Sequence, residues 1–282
     1  MVGTFKMKKN EMIFFNCVRN GPPFVKPKLA PGLCNRLRGI FTIYTYSKIA
    51  DIPFGFSWHP ERTCNCNFQD IFQVPTEFNH FDSLNDVEDR KLKLYRYFET
   101  PDKFYYSDVA DKYDISFNEF LALYKNNLKL LKPTKDIMNK ISKYAEKYEI
   151  KNRVGVHIRK TDHAKSRGGR EFVHRTLNSH DWFEHRISEE LQKNPNSSFF
   201  LATDNKESQE HLKKVFGERI VSFTSKTSFD NNQRRHTDMS DAVCDLWLLS
   251  MCRKILGSCW SSYNEFASDY GDCQLISPDR EK

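Results

Sequence analysis

Three stretches in the second half of the chain end an apolar run in groups that bind anions or read bases. The first is Val154-Gly155-Val156-His157-Ile158-Arg159-Lys160-Thr161-Asp162-His163. Strand alternation puts His157 and Arg159 on one face with Lys160 beyond them. Arg159 offers a phosphate a planar fork and Lys160 a point charge; the same cluster would also serve as a structural ion-pair group. The second stretch, Phe199-Phe200-Leu201-Ala202-Thr203-Asp204-Asn205, ends in a carboxylate. Asp204 either receives the N–H groups of a base ring or caps the helix that begins at Lys206. The third is Ile255-Leu256-Gly257-Ser258-Cys259-Trp260-Ser261-Ser262. Here Ser258, Ser261, Ser262 and the backbone N–H groups form an anion cradle, or an ordinary strand-to-helix turn. Ligands of open α/β sheets gather at the carboxyl ends of strands, where all three stretches lie. A fourth stretch, Gly32-Leu33-Cys34-Asn35-Arg36-Leu37-Arg38, is in the first half. Gly32 allows a tight turn and Asn35 is placed to cap a helix. Arg36 and Arg38 in the first turn oppose the helix dipole, which makes sense if an anion binds there. The alternative is a solvated basic helix start.

The absences narrow the chemistry. The chain has no G-x-G-x-x-G, no phosphate-binding G-x-x-x-x-G-K-[ST] and no H-E-x-x-H. No two aspartates are separated by one residue, so no short acidic pair is available to hold a divalent ion against phosphates. Diphosphate charge then falls to Arg, Lys, His and backbone N–H groups. The eight cysteines stand at 17, 34, 64, 66, 244, 252, 259 and 273, mostly in apolar runs, and read as reduced, buried thiols. Cys64-Asn65-Cys66 is the one close pair and lacks structural-zinc spacing, so no metal site is expected. The balance of 44 Lys+Arg over 37 Asp+Glu gives +7, and aromatics are 14%. Those basic residues are interleaved with acids and no nucleic-acid motif accompanies them, so nucleic-acid binding is excluded.

In their order from Gly32 to Phe266, the four stretches resemble the signature of the fucosyltransferase-like glycosyltransferases. That superfamily contains the α1,2-, α1,6- and protein O-fucosyltransferases and the nodulation fucosyltransferase. It carries G-x-x-N-R-[LM], an H-x-R-R-x-D strand end, an A-T-D strand end and a G-S-x-x-S-x-F-like segment. Trp58 followed by Cys64, Phe68, Asp70 and Phe72 also looks like its segment after the second strand. The resemblance implies an α/β fold of GT-B type, two Rossmann-like halves with a donor cleft between them and a helical insertion. It implies metal-independent, inverting transfer of a sugar from a nucleotide donor, without a cofactor, onto an oligosaccharide or glycoprotein glycan. His157 and Arg159 would contact the donor diphosphate, with Lys160 beside them. Asp204 would read the base, Ser258, Ser261 and Ser262 would hold phosphate, and Asn35 and Arg36 would close over the donor. Two departures matter. Lys160 stands where the family has Arg, and the planar fork it removes is not replaced by a point charge. The downstream acid that some members use as a base is displaced, leaving Asp162, His163 and Glu171 as candidates, with Arg159 assisting departure of the diphosphate. Gly168-Gly169 marks a mobile loop over the acceptor. GDP-fucose is the favoured donor. A uridine donor such as UDP-xylose, or a non-catalytic glycan- or nucleotide-binding relic, is the alternative.

The elements that must position these groups follow from hydrophobic period. With 282 residues and 39% hydrophobic content, one or two domains are expected. The second half reads as strands at Arg153 to Ile158, Ser197 to Thr203, Arg219 to Phe223, Lys254 to Gly257 and Cys273 to Ile276. Helices fall between them, from Ser179 to Lys193, Lys206 to Phe216, Ser240 to Cys252 and Ser261 to Tyr270. That alternation implies a parallel sheet covered by helices. In the first half, strands at Met12 to Val18 and Pro53 to Trp58 flank a helix from Asn35 to Ala50, and Asn85 to Tyr148 reads as charged and mostly helical. The charged stretch Lys147 to Lys151 is the expected hinge, separating an acceptor-side half, 1–150, from a nucleotide-sugar half, 151–282. No run reaches the ~18 apolar residues of a membrane span. Met1 to Asn10 lacks the apolar run and cleavage site of a signal peptide. A cytoplasmic enzyme, bacterial or in the host cytoplasm if viral, is expected.

Overall fold

Alternating apolar strands and amphipathic helices build two parallel sheets. The computed structural model describes residues 11–17, 31–61, 63–81, 91–96, 101–160, 178–223, 228–229, 235–236 and 238–280. The chain divides into two compact units, Met1–Thr134 and Lys135–Lys282.

In the first unit, β1 (Glu11–Asn16), β2 (Phe54–Ser57), β3 (Asn79–Phe81) and β4 (Lys91–Arg96) form a parallel sheet in the order β3-β2-β1-β4. Helix α1 (Leu33–Ala50) is buried on nearly every side, which its apolar composition requires. Helix α2 (Phe117–Leu128) buries Phe120, Tyr124 and Leu128, and its start is fixed by a capping box between Ser116 and Glu119. The amide of Asn127 donates to Thr45 Oγ1 at 2.9 Å, tying α2 to α1.

Two expectations change here. The segment read as mostly helical contains β4, which pairs with β1 from Glu11↔Lys91 to Asn16↔Arg96. Lys-Leu-Lys-Leu-Tyr-Arg alternates with period two, and lysines suit a strand at the edge of a sheet. The expected hinge at 147–151 also moves. Helix α3 (Lys135–Lys147) belongs to the second unit, where Tyr144 packs against Phe200 and Phe223 and donates to the carbonyl of Ser222. The division therefore falls before this helix, not after it.

The second unit follows the expected rhythm closely. It contains β5 (Val154–Ile158), α4 (His180–Lys193), β6 (Phe199–Thr203), α5 (Lys206–Phe216), β7 (Ile220–Val221), α6 (Met239–Ser250), β8 (Lys254–Gly257), α7 (Ser262–Gly271) and β9 (Gln274–Ile276). All five strands are parallel, in the order β9-β8-β5-β6-β7. Val154, Val156 and Ile158 point to the core shared with Phe183 and Ile187 of α4 and Leu212 of α5. Alternation therefore turns Gly155 and His157 to the opposite face, where Leu249 and Cys252 crowd Gly155 and α7 receives His157. At the amino ends of the strands, the buried Glu190 carboxylate takes Arg253, Lys254 and the hydroxyl of Ser197. Burial alone would raise its pKa, but bonds from Lys254 and Arg253 hold it below the usual carboxylate value.

Gly257 ends β8 against the amide of Asn264; a Cβ there would stand 2.2 Å from Asn264 Nδ2 and 2.7 Å from Leu275 Cδ1. Gly257→Ala should force that amide aside and cost about 1–3 kcal/mol, read as a lowered Tm. An unchanged Tm would mean the helix start yields freely.

Candidate functional site

The carboxyl ends of β8, β5 and β6 lie side by side, and side chains replace the ladder where the sheet stops. Ser258 is the central piece. Its N–H and its hydroxyl both donate to the carbonyl of His157, at 3.0 and 3.1 Å, and its Oγ accepts from Arg159 N at 2.9 Å. This corrects the expectation that Ser258 holds phosphate, because its hydroxyl is committed to backbone. Asn264, one turn into α7, donates to the carbonyl of Ser258 at 3.2 Å, and its Oδ1 lies 3.2 Å from His157 Nδ1. A carbonyl oxygen only accepts, so Nδ1 carries a proton. The His157 ring also stacks on Tyr263, with centroids 4.9 Å apart and an interplanar angle of 21°. His157 is thus buried and oriented from two sides.

Asp204 does not cap the following helix. Asn205 does, its Oδ1 accepting from Ser208 N and Ser208 Oγ, each at 2.8 Å. Asp204 Oδ1 instead accepts from Lys160 N at 3.0 Å, joining the ends of β5 and β6. The ammonium of Lys160 lies 2.7 Å from His180 Nε2, the first residue of α4. Ser208 Oγ approaches the same nitrogen at 2.9 Å, and the ring stacks on His211 at 4.5 Å and 12°. His211 in turn contacts Glu184. Burial pushes the Lys160 pKa down, against Glu207 and Asp204. Burial also lowers that of His180, with Lys160 and His211 adding to it.

The strand-to-helix turn after β8 has a distinct character. Cys259 N donates to Asn178 Oδ1 at 2.9 Å. Trp260 adopts a left-handed backbone, φ 48°, which costs a bulky residue of order 1–3 kcal/mol, and its side chain is 48% exposed. Ser261, at the N-cap of α7, is only 1% exposed, makes no cap bond, and its Oγ has no hydrogen-bond partner. A buried hydroxyl without a partner normally costs free energy, and this one lies where the helix dipole favours an anion. Ser262 follows, half-buried, in the first turn.

The first-unit candidates serve their own unit. Arg36 is 1% exposed. Its guanidinium donates to the carbonyls of Pro31 at 2.9 Å and His59 at 2.6 Å, pairs with Glu61 at 3.3 Å, and lies over the Trp58 ring at 4.8 Å. It clamps the turn into α1 to the segment after β2, so its expected closure over a donor is set aside. Asn35 is not a cap, since α1 begins at Leu33 with Gly32 as its N-cap. Asp162, His163 and Glu171 lie outside the described residues. Among those residues, all eight cysteines are free and no group of three or more His, Cys, Asp or Glu is placed to hold a metal ion. Burial pushes the Cys17 and Cys252 thiols up, as fits inert core residues. Also among the described residues, no helix is long and apolar enough to cross a membrane.

Reading by motif passed over Asn264, Tyr263, His180, Ser208 and Trp260. Only Trp260 carried a local signal, a bulky aromatic in a turn otherwise made of small residues. The other four act through contacts between elements.

No family profile matches the chain, and no curated protein matches it in sequence. Solved structures do match. Fucosyltransferase NodZ from Bradyrhizobium superposes with a TM-score of 0.52 at 12% identity, covering 93% of each chain. A mutant of Arabidopsis thaliana FUT1 in complex with GDP gives 0.57 at 11%, covering 94% of this chain and 69% of that one. POFUT1 in its apo form gives 0.57 at 11%, covering 97% and 99%. The chain shares the GT-B-like α/β fold of these fucosyltransferases.

His180 supplies a test of this electrostatic arrangement. Its native pKa lies below the ordinary 6.5, so the unfolded chain takes up a proton that the folded one refuses. Stability is therefore present above the ordinary value and is lost as pH falls through it toward the depressed one. The Tm advantage of the parent over His180→Gln should shrink between about pH 7.5 and pH 5.5. A difference that stays constant with pH would show that His180 titrates alike in both states.

Proposed function

We propose that the protein is a metal-independent, inverting glycosyltransferase that moves a sugar, fucose from GDP-fucose favoured, onto a hydroxyl of an oligosaccharide or glycoprotein glycan. The observation that carries this reading is the convergence at three neighbouring strand ends of His157, Arg159 and Lys160, of Asp204, and of the unpartnered Ser261 hydroxyl. The fold likeness supports it, because NodZ was soaked with GDP-fucose and POFUT1 was solved with GDP.

Each group has a role in this reaction. The anomeric carbon exchanges its bond to the diphosphate oxygen for one to the acceptor oxygen, with inversion, and the acceptor proton passes to a base. Arg159, with His157 and Lys160, neutralises the departing diphosphate. Ser261, Ser262 and the start of α7 hold its oxygens. Asp204 offers carboxylate oxygens as acceptors for the N–H groups of guanine. Candidates for the base are Asp162, His163 and Glu171. Metal independence is the reading favoured by the absence of an Asp-x-Asp pair in the sequence. One observation favours a second donor: Lys160 in place of Arg weakens the argument for GDP-fucose and admits a uridine donor such as UDP-xylose.

Calorimetric titration of GDP and UDP in EDTA tests the reading directly. GDP should bind and UDP should bind weakly. Asp204→Ala should weaken GDP by about 2–4 kcal/mol, the cost of leaving paired polar groups unmade, and leave UDP nearly unchanged. UDP binding tighter than GDP in the parent would overturn the guanine assignment and favour the uridine donor.

Arg159→Ala should keep its fold and lose transfer by roughly 10²–10³, as expected when one preorganised charge donor is removed. Near-parental kcat would take Arg159 out of the reaction. Loss of folding would instead assign it to a structural ion pair.

A further inference from the structure

Lys160 is held at two points. Its backbone N–H donates to Asp204 Oδ1 just past β6, and its ammonium hydrogen-bonds the His180 ring at Nε2, 2.7 Å away. The second partner is an imidazole and not a carboxylate, which sets Lys160 apart from other cations of the same unit. Lys254 and Arg253 pair with Glu190, and Arg186 pairs with Glu189. Among the described residues Lys160 has no ion pair, and Glu207 and Asp204 act on its charge from farther away. A carboxylate would hold this side chain and cancel its charge. A neutral ring holds it and leaves the charge in place for an anion. Burial favours the neutral form of His180, with Lys160 and His211 adding to the effect.

The ring is delivered and fixed by two helices. His180 opens α4 on the stripe continued by the buried Phe183 and Ile187, a spacing of three and seven residues that shares one helix face. Its ring stacks on His211 of α5, which bonds Glu184 of α4. Ser208 Oγ stands 2.9 Å from Nε2, and Ser208 is itself fully buried and held by Asn205. We propose that His180 is a positioning residue, one that holds the Lys160 ammonium at the carboxyl edge of the sheet for the diphosphate of the donor. This deepens the donor-binding reading above and rests on it. A lysine has a flexible four-carbon stem, whereas a guanidinium fork is preorganised. Anchoring the ammonium to a fixed ring recovers part of that order without spending the charge.

A double-mutant cycle on the intact protein reads this coupling, with nucleotides titrated calorimetrically in EDTA. His180→Phe keeps a ring against His211 and removes both nitrogens. Lys160→Met keeps the stem and removes the charge. Each variant is first compared with the parent by circular dichroism, and His180→Ser takes the place of His180→Phe if the apolar ring prevents folding. GDP affinity should fall about three- to tenfold in His180→Phe. It should fall no further when that change is added to Lys160→Met. His180→Gln, whose amide oxygen accepts from an ammonium, should stay within about twofold of the parent. Guanosine, which lacks the diphosphate, should bind all of these variants alike. Where UDP binds tighter than GDP, the cycle is read with UDP and uridine, because the diphosphate is common to both. A loss of the same size with and without the Lys160 ammonium would make His180 a structural residue of α4 and overturn the positioning role. Parental affinity in either His180→Phe or Lys160→Met would overturn it too. The donor-binding reading survives these outcomes, since the parent binds nucleotide in each. A parent that binds neither nucleotide would overturn both.

Discussion

A parallel sheet runs out of ladder hydrogen bonds at its carboxyl edge, and here that edge is closed by side chains. Ser258 uses its amide and its hydroxyl to hold the end of β5. Asp204 takes the next amide, that of Lys160, and Asn178 takes that of Cys259. Each bond satisfies a backbone group that would otherwise be stranded near the core. The consequence is rigidity where the chemistry is expected. His157, Arg159, Lys160 and Ser261 stand on a frame whose backbone is pinned from neighbouring strands, and a site on such a frame keeps its geometry better than one on a free loop.

Positive charge serves two purposes in this chain, and geometry separates them. Arg36 spends its fork on the carbonyls of Pro31 and His59 and on Glu61. Arg153 donates to the carbonyl of Tyr148, and Arg253 and Lys254 converge on Glu190 at the opposite edge of the second sheet. These cations hold turns and strand starts together. Net charge therefore says little about ligands, and strand-end position says more. Ser261 makes the complementary point. Its buried hydroxyl has no hydrogen-bond partner at the start of α7, as the Thr42 hydroxyl has none within α1, so an unpartnered hydroxyl gains meaning from its place at a strand end and not from burial alone.

The second unit was legible because its strands are short apolar runs with helical stripes between them, and both periods survive in the sequence. Lys206–Phe216 and Lys254–Gly257 lie where periodicity puts them. The first unit was harder to read. Lys91–Arg96 carries enough charge to pass for part of a helical region, and only its pairing with β1 makes it a strand. Helix α3 looks from sequence like the end of the first half, since nothing local records that Tyr144 reaches Phe200 and Ser222. At the site, residue types marked the strand ends correctly but misassigned several duties. Asn205, not Asp204, is the cap; Gly32, not Asn35, starts α1; and Ser258 binds backbone. The caps depend on where a helix begins to within a few residues, which periodicity does not resolve, and the Ser258 bonds depend on strands that only the fold brings together.

The Lys160–His180 contact shows how a half-buried cation is matched by its surroundings. A half-buried ammonium needs acceptors. Here it lies against the His180 ring, with Glu207 and Asp204 acting on the same charge. A guanidinium at the same strand end would bring five donors in a rigid plane. The imidazole is itself kept neutral by burial, by Lys160 and by the stacked His211. Burial disfavours the charged form of both groups, and the Lys160 charge further disfavours protonation of His180. His180 therefore adds no second charge beside Lys160, and a side-chain contact reaching from α4 holds the Lys160 side chain. The setting of Lys160 is therefore a coupled feature of β5, α4 and α5, made by contacts that no single element carries.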